Sequence, residues 1–215
     1  MKTALVAGYT GLVGSLLLNK LLNSNSYNKV IAIGRRKIDL DHPKLHQQEV
    51  DFNNLVLEDE IDDVFCCLGT TIGKAGTKEK FRLVDYQYPL NIAIAAKDKG
   101  AVSFLLVSAK GASKNSGFFY NQVKGELEES IQQIGYPKLD FLRPSLLIGD
   151  RSESRIFEQI GVVFMKVFGF LFVGPLKNVK GINADAVASA MLYFANDGGL
   201  GKRIHNSGDM QSFNK

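Results

Sequence analysis

A tyrosine and a lysine one helical turn apart, Tyr120 and Lys124, are the residues of this sequence best suited to proton transfer. Residues four apart on a helix share a face, so the two side chains are expected to lie together. A phenol with its ordinary pKa of about 10 is a sluggish acid or base near neutral pH. Because a nearby ammonium favours the phenolate, we expect Lys124 to lower the pKa of Tyr120.

Ser108 stands at the end of a predicted strand that precedes this pair. Its hydroxyl could hydrogen-bond a substrate oxygen while Tyr120 donates a proton to that oxygen. A tyrosine and a lysine at this spacing also occur by chance in many helices. Ser108, Tyr120 and Lys124 are therefore candidate catalytic residues whose interpretation depends on the rest of the chain.

Three glycines near the N-terminus predict a phosphate-binding turn. Gly8, Gly11 and Gly14 follow a predicted strand and open a predicted helix, where side chains would block the turn, the approach of a pyrophosphate and helix–strand packing. The spacing is G-x-x-G-x-x-G, as in short-chain reductases, rather than the G-x-G-x-x-G of many dehydrogenases. A tight turn without a ligand is the competing interpretation. The other candidate cofactor-binding residues of this turn are Thr10, Leu12 and Val13.

The order of the glycine turn and the Tyr-Lys pair is typical of a nicotinamide-dependent oxidoreductase with a Rossmann domain. Bound oxidised nicotinamide would also favour the phenolate of Tyr120. Lys124 could in addition hold the nicotinamide ribose.

Two arginines predict the choice of cofactor. After the second predicted strand the chain has Gly34-Arg35-Arg36, where a site for NAD would place an acid. Because a guanidinium offers paired donors to phosphate oxygens, we expect NADP(H), with Arg35 at the 2′-phosphate and Arg36 assisting. Two solvated arginines are the alternative. Asp51 and Phe52, after the third predicted strand, could flank the adenine, by positional analogy alone.

The elements that would position these residues alternate between apolar strands and helices, which predicts an α/β fold. We expect a single Rossmann domain over residues 1–215, with a doubly wound parallel sheet of six or seven strands. Its cofactor-binding core would span about residues 1–148, and a small substrate-side lid about residues 149–215. The predicted strands are Thr3–Ala7, Lys29–Gly34, His46–Val50, Asp63–Leu68, Val102–Ser108 and Leu139–Leu147, with a short edge strand at Arg203–Asn206.

Four helices are predicted from apolar periodicity and breakers. The first carries Leu12 and stops near Asn23. The other three run from about Lys78 to Lys97, kinked at Pro89, from about Phe118 to Ile134, and from about Asn183 to Ala195, where Asn183 or Asp185 could cap the helix.

Composition excludes several classes of protein. The net charge of +4 is spread along the chain, so nucleic acid is not expected as a partner. The adjacent Cys66 and Cys67 would point to opposite faces of a strand, which suits neither a disulfide nor shared metal ligation and fits a reducing cytoplasm.

The N-terminus lacks a cleavable apolar segment, so a cytoplasmic location is expected. The apolar segment 161–174 is shorter than a membrane span of about 20 residues, so membrane contact is not expected.

Two further motifs are set aside. Gly69 to Ala75 is similar to a phosphate-binding P-loop, but it lacks one spacer residue and has Ala75 where a hydroxyl would hold magnesium. His42, His46 and His205 form no ligand cluster, so no metal site is predicted and the histidines are expected at the surface.

Taken together, these residues make the chain resemble an atypical short-chain dehydrogenase/reductase, most closely the Tat-interactive-protein-like oxidoreductases. Nearly the whole chain carries the resemblance. The resemblance implies NADP(H) bound across the strand ends, with Leu68, Gly69 and Thr70 on its phosphate and ribose side and Pro144 to Leu146 near the nicotinamide. The segments concerned are Gly8 to Gly14, Gly34 to Arg36, Cys67 to Thr71, Gly73 to Gly76, Ser108 to Ala112, Tyr120 to Glu126, Arg143-Pro144 and Asp150 to Arg155.

The first hypothesis for function is an NADPH-dependent oxidoreductase that reduces a small aldehyde or ketone by hydride transfer, with Tyr120 as proton donor. The second is an NADPH-sensing regulatory protein with little or no turnover, whose apolar surface near Phe168 and Phe172 recruits a protein partner. A nucleotide-sugar epimerase or dehydratase shares the same residues, but the short C-terminal tail argues against it. Substrate identity and a possible homodimer are left open.

Overall fold

Parallel strands, most of them apolar, form the central sheet of the computed structural model, which describes residues 2–149 and 181–213. All six predicted strands are confirmed, and the predicted edge strand at the C-terminus joins them. Within the described ranges, this sheet has seven strands in the order β3-β2-β1-β4-β5-β6-β9, with every pair parallel. The strands are β1 Lys2–Ala7, β2 Tyr27–Gly34, β3 Leu45–Glu49, β4 Asp63–Cys66, β5 Ser103–Val107, β6 Lys138–Arg143 and β9 Gly201–Asn206.

The sixth strand ends earlier than predicted. β6 stops at Arg143, before Pro144, which has no N–H to donate to a neighbouring strand. Leu147, the predicted end, belongs instead to a short strand, β7 (Leu147–Ile148), which pairs with β8 (Ile182–Asn183).

Helices cover both faces of the sheet, as the apolar strands require. One face packs on α1 and α6 through side chains such as Leu17 and Met191, and the other on α4 and α5 through Ile92 and Leu127. Cys66 and Cys67 contact opposite cores, as predicted. The helices are α1 Leu12–Asn23, α2 Ile72–Ala75, α3 Lys78–Arg82, α4 Tyr88–Asp98, α5 Phe119–Gln133, α6 Ala184–Asn196 and α7 Ser207–Gln211.

The predicted helix from Lys78 to Lys97 is helical throughout, but it is not α-helical throughout. A π-helical turn, Leu83–Gln87, joins α3 to α4. Pro89 lies in the first turn of α4, where its missing N–H cannot pair with the carbonyl of Asp85 one turn earlier. The wider turn places the buried Asp85 at the position where the regular helical pattern is interrupted.

Two other predictions have clear outcomes. Asn183 caps α6, because its side chain accepts a hydrogen bond of 2.9 Å from the Asp185 N–H. His205 is not a surface residue: it is 9% exposed and its Nε2 lies 2.7 Å from Asp140 Oδ1, because β9 brings it against the buried carboxylate of β6.

The apolar segment 161–174, with Phe168 and Phe172, and the segment Asp150 to Arg155 lie outside the described residues. No helix among residues 2–149 and 181–213 combines the length and the apolar character needed to cross a membrane.

Candidate functional site

A cavity of about 490 Å³ opens where β1, β4, β5 and β6 end. Parallel strands end at the same edge of a sheet, so segments that follow these four strands meet there. The structure brings most of the predicted site residues into this cavity. The predicted residues that line it are Gly11, Leu12, Val13, Leu68, Gly69, Thr70, Ser108, Tyr120, Lys124, Pro144 and Leu146.

The glycine turn has the conformation that its spacing predicts. Gly8 has φ of +82°, and a Cβ there would lie 2.6 Å from the backbone of Cys67, at the end of β4. A Cβ on Gly14 would lie 2.2 Å from the Gly8 carbonyl oxygen. Neither position can therefore carry a side chain without moving the backbone.

The N-terminus of α1 faces the cavity without a side-chain cap. Gly11 is the N-cap residue, and the first turn contains no acidic side chain. Unsatisfied amide groups and the positive end of the helix dipole make such a terminus a favourable place for an anion. A dinucleotide phosphate therefore fits this end of the cavity.

Arg35 and Arg36 lie at the end of β2 and do not line the cavity. Both are exposed, and neither side chain pairs with an acid in the described part of the chain. Tyr9, which the sequence analysis did not assign, positions them: its hydroxyl donates a hydrogen bond of 2.6 Å to the Arg36 carbonyl. A Cβ on Gly34 would lie 2.9 Å from the Tyr9 ring, so glycine there makes room for this contact.

The structure does not bring the side chains of Asp51 and Phe52 into the cavity. Asp51 closes a local turn by accepting hydrogen bonds of 2.9 Å from the backbone and side-chain nitrogens of Asn53, which lower its pKa. Phe52 is buried, and its ring stacks on Tyr88 at 5.2 Å. An adenine contact at Phe52 would have to come from its backbone.

Lys124 forms a buried ion pair with Asp85, a residue that the sequence analysis missed. Lys124 Nζ lies 2.7 Å from Asp85 Oδ1, and both side chains are almost fully buried. Asp85 Oδ2 also accepts a hydrogen bond of 2.7 Å from the Thr70 N–H. Burial by itself would lower the pKa of Lys124, but Asp85 and Tyr120 raise it above its ordinary value, so the ammonium stays charged. Burial raises the pKa of Asp85, and Lys124 opposes that rise only in part.

The expected lowering of the Tyr120 pKa is wrong for this structure. Burial is the largest effect and raises the pKa of Tyr120, Lys124 lowers it by less than burial raises it, and Asp85 adds a smaller increase. The physical reason is that burial disfavours the phenolate by more than the nearby ammonium favours it. The Tyr120 ring packs against Phe81, with centroids 5.6 Å apart.

The Ser108 hydroxyl donates a hydrogen bond to Glu128, a second carboxylate that was not among the residues predicted from the sequence. The Ser108 Oγ to Glu128 Oε1 distance is 2.5 Å, and both residues are buried. Arg143 holds Glu128 through two hydrogen bonds, from Nε to Oε1 at 3.0 Å and from Nη2 to Oε2. A serine hydroxyl has one proton, so Ser108 can offer only acceptor lone pairs to the cavity while this bond persists. The four-residue spacing of Tyr120, Lys124 and Glu128 along α5 was the available signal.

Comparisons with known proteins agree with this architecture. The NAD dependent epimerase/dehydratase family matches residues 4–118. Protein HTATIP2 of Rattus norvegicus is 39% identical over 180 residues, which are 79% of this chain and 72% of the relative. Protein FMP52-1, mitochondrial, of Scheffersomyces stipitis is 37% identical over 159 residues, which are 71% of this chain and 70% of the relative. The structure titled MoeE5 in complex with UDP-glucose and NAD superimposes with a TM-score of 0.70 at 16% identity, covering 95% of this chain and 75% of that chain, and shows the fold.

The expectation of a cytoplasmic protein is contradicted by these relatives. Several FMP52 proteins of similar identity carry the word mitochondrial in their names. The expectation rested on the unpaired Cys66 and Cys67 and on the pattern of the first residues, and neither discriminates between compartments inside a cell. By sequence, the chain belongs to the NAD dependent epimerase/dehydratase family and is a homologue of the HTATIP2 and FMP52 proteins, and its fold is the Rossmann fold.

Proposed function

We propose that this protein is an NADPH-dependent oxidoreductase that reduces small aldehydes or ketones. The observation that supports the proposal most directly is the meeting of Ser108, Tyr120 and Lys124 with the turns after β1, β4 and β6 around one cavity. A proton donor, a cation and a phosphate-binding helix terminus then face the same space, as reduction of a carbonyl by a nicotinamide requires.

The residues around the cavity fit such a cofactor. The uncapped N-terminus of α1 at Gly11 suits the pyrophosphate, and Leu68 to Thr70 would line the ribose. Arg35 and Arg36 retain their guanidinium donors for a 2′-phosphate, because no described acid pairs with either of them. This charge is our reason for proposing NADPH over NADH.

The chemistry of reduction divides between cofactor and chain. When bound, the cofactor supplies a hydride to the carbonyl carbon. Tyr120 gives its hydroxyl proton to the carbonyl oxygen, so the product is an alcohol. Lys124, kept charged by Asp85, stabilises the phenolate that remains on Tyr120. The Ser108 hydroxyl donates its one hydrogen bond to Glu128. Its oxygen can therefore only accept a hydrogen bond from a hydroxyl group in the cavity, and in this way it orients that group.

The test measures cofactor binding first and turnover second. We expect calorimetry to show tighter binding of NADPH than of NADH, and Arg35→Ala to lose that preference. In a screen of small aldehydes and ketones, Tyr120→Phe should lower kcat by about 10²- to 10⁴-fold with unchanged NADPH affinity. Tyr193→Phe, an exposed tyrosine on α6, is the matched control and should retain activity. Equal turnover of every accepted carbonyl by Tyr120→Phe would contradict the proposed mechanism.

A second function, NADPH sensing with little or no turnover, is supported by the partners of the candidate catalytic residues. Ser108 is bound to Glu128, Lys124 is paired with Asp85, and burial raises the pKa of Tyr120. The hydrogen bond removes Ser108 as a donor to a substrate oxygen, and the raised pKa makes Tyr120 a weaker acid, so both reduce the expected rate of reduction. Tight NADPH binding, no turnover in the carbonyl screen and NADPH-dependent capture of a protein partner would favour this function over reduction. Conversion of UDP-glucose in the same screen would instead indicate an epimerase.

A further inference from the structure

The described wall of the cavity has an unbalanced positive charge. Its charged side chains are Asp85, Lys124, Lys74 and Lys110. Asp85 and Lys124 neutralise each other as a buried ion pair. No hydrogen bond or ion pair joins the side chain of Lys74 or Lys110 to another residue within 2–149 and 181–213. Two positive charges are therefore available to a ligand.

The lack of a partner at Lys110 differs from the situation of a nearby lysine on the same segment. Lys114, four residues after Lys110, lies outside the cavity, and its Nζ pairs with Glu129 Oε2 at 3.0 Å. Lys110 is instead fixed at its backbone, where its N–H donates a hydrogen bond of 2.9 Å to the Pro144 carbonyl. This bond holds the lysine beside the segments that follow β5 and β6.

The position of Lys110 separates it from the cofactor's phosphate groups. Arg35 follows β2, and three strand spacings separate β2 from β5 in the sheet order β2-β1-β4-β5. At about 4.8 Å per spacing, this places the ends of the two strands about 14 Å apart. The helix terminus at Gly11 therefore lies at one side of the cavity, and the arginines lie beyond that side, outside the lining. Lys110 lies at the side of Ser108 and Pro144, where the reacting carbonyl would lie.

We propose that the substrate is a small carbonyl compound that bears a carboxylate, and that Lys110 binds this carboxylate. The inference rests on the proposed reductase function. The hydride of NADPH adds to the carbonyl carbon, and Tyr120 gives its proton to the carbonyl oxygen. The carboxylate takes no part in the reaction, so the product is a hydroxy acid. Lys74, on α2, adds to the positive potential that attracts such an anion.

The test compares acids with their uncharged methyl esters. The probes are pyruvate with methyl pyruvate and 4-carboxybenzaldehyde with its methyl ester, each supplied with NADPH. For the wild-type protein we expect kcat/KM for the acid to exceed that for the ester by about 10- to 100-fold. Lys110→Met should bring this ratio close to one without changing kcat/KM for the ester, and Lys114→Met should leave the ratio as it is.

Three results would overturn the proposal. The first is a kcat/KM for the esters that equals or exceeds that for the acids. The second is a ratio of acid to ester kcat/KM that Lys110→Met does not change. The third is a fold-loss of NADPH affinity in Lys110→Met as large as the fold-loss of that ratio. The last would assign Lys110 to the cofactor. If no carbonyl is turned over, calorimetry of acid and ester binding to the protein with NADP, or to the protein alone if no nucleotide binds, replaces the kinetics. Acid binding that depends on Lys110 then supports the inference even though the reductase function fails, and equal binding of both probes rejects it.

Discussion

At the scale of single residues, two buried carboxylates determine what the candidate catalytic groups can do. Asp85 keeps Lys124 charged in a place where burial alone would favour the neutral amine. Glu128 accepts the hydrogen bond that the Ser108 hydroxyl donates, and is itself held by Arg143. In the proposed reaction, Tyr120 is therefore the proton donor and Ser108 is an acceptor, rather than both being donors.

The ion pair between Asp85 and Lys124 predicts a coupled effect on stability. We expect Asp85→Asn to lower the free energy of unfolding by about 3 to 5 kcal/mol, because it leaves the ammonium of Lys124 buried without a charged partner. We expect Lys124→Met to lower the free energy of unfolding by less than Asp85→Asn does. The double variant Asp85→Asn/Lys124→Met should recover part of the loss, because neither buried charge remains. Urea unfolding of the three variants measures this cycle. Additive effects would show that the two residues do not stabilise each other.

How far the sequence predicts this site is clear from the same residues. Gly11 follows a predicted strand, and Leu68 and Ser108 end two others, so their meeting at the edge where parallel strands end was predictable. Pro144 lay inside a predicted strand and was assigned only from the family resemblance. Asp85 was not, because its position depends on a π-helical turn that apolar periodicity does not reveal. Glu128 lies at helical spacing from Lys124, but an acid on an amphipathic helix is ordinarily solvated, and its burial depends on Arg143 arriving from β6.

At the scale of elements, the segment between β5 and α5 is held against the helix by a close backbone contact. Gly125, in α5, faces Ser113, and a Cβ at Gly125 would lie 2.2 Å from the carbonyl carbon of Ser113. The Ser113 N–H also donates a hydrogen bond of 3.1 Å to the Asn121 carbonyl. This contact fixes the path of the chain from Ser108 to Tyr120.

The close approach at Gly125 predicts opposite results for two helical glycines. Gly125→Ala should lower the free energy of unfolding by about 1 to 3 kcal/mol, since the new methyl group must displace backbone. Gly208→Ala, in α7, is the matched control: a Cβ there meets nothing within 4 Å, so we expect a gain of about 0.5 to 1 kcal/mol. Urea unfolding measures both. A neutral or stabilising Gly125→Ala would mean that the loop yields easily.

Element prediction succeeded where packing and local pattern agree. The strands β1, β2 and β5 are apolar throughout or nearly so because helices cover both faces, and such runs are visible in the sequence. β3 is different, because most of its residues are polar. It lies at the edge of the sheet, and its hydrogen bonds to β2, rather than an apolar run, make it a strand. The helix expected from Lys78 to Lys97 contains a π-helical turn next to Pro89, whose missing backbone donor predicts an irregularity in the helix but not its form.

At the scale of the whole molecule, a charged network attaches the C-terminal strand to the rest of the sheet. The buried Asp140 on β6 accepts hydrogen bonds from Arg203 and lies 2.7 Å from His205, both on β9. Asp197, after α6, bridges Arg203 at 2.7 Å and Lys138 at 3.0 Å. The network thus joins β6, α6 and β9, and with them the C-terminal residues to the strand that carries Arg143 to the site.

This network predicts a loss of stability in acid that depends on Asp197. Burial would raise the pKa of Asp197, but hydrogen bonds from Arg203, the Gly199 N–H and Lys138 hold it well below its ordinary value. A carboxyl group with a depressed folded-state pKa contributes stability above its unfolded pKa of about 3.9, and loses that contribution as the pH falls toward the folded value. Asp197→Asn should therefore cost about 1 to 3 kcal/mol near pH 7, and progressively less as the pH falls from about 5 to 2.

Urea unfolding of the wild-type protein and of Asp197→Asn across this pH range measures the difference. Asp59→Asn is the control, because Asp59 pairs with Lys29 at a more exposed site and its removal should cost about 0 to 1 kcal/mol at any pH. If the cost of Asp197→Asn stayed constant from neutral pH to acid, the carboxylate charge would not be what attaches β9 to β6, and the neutral hydrogen bonds of the network would have to carry that role.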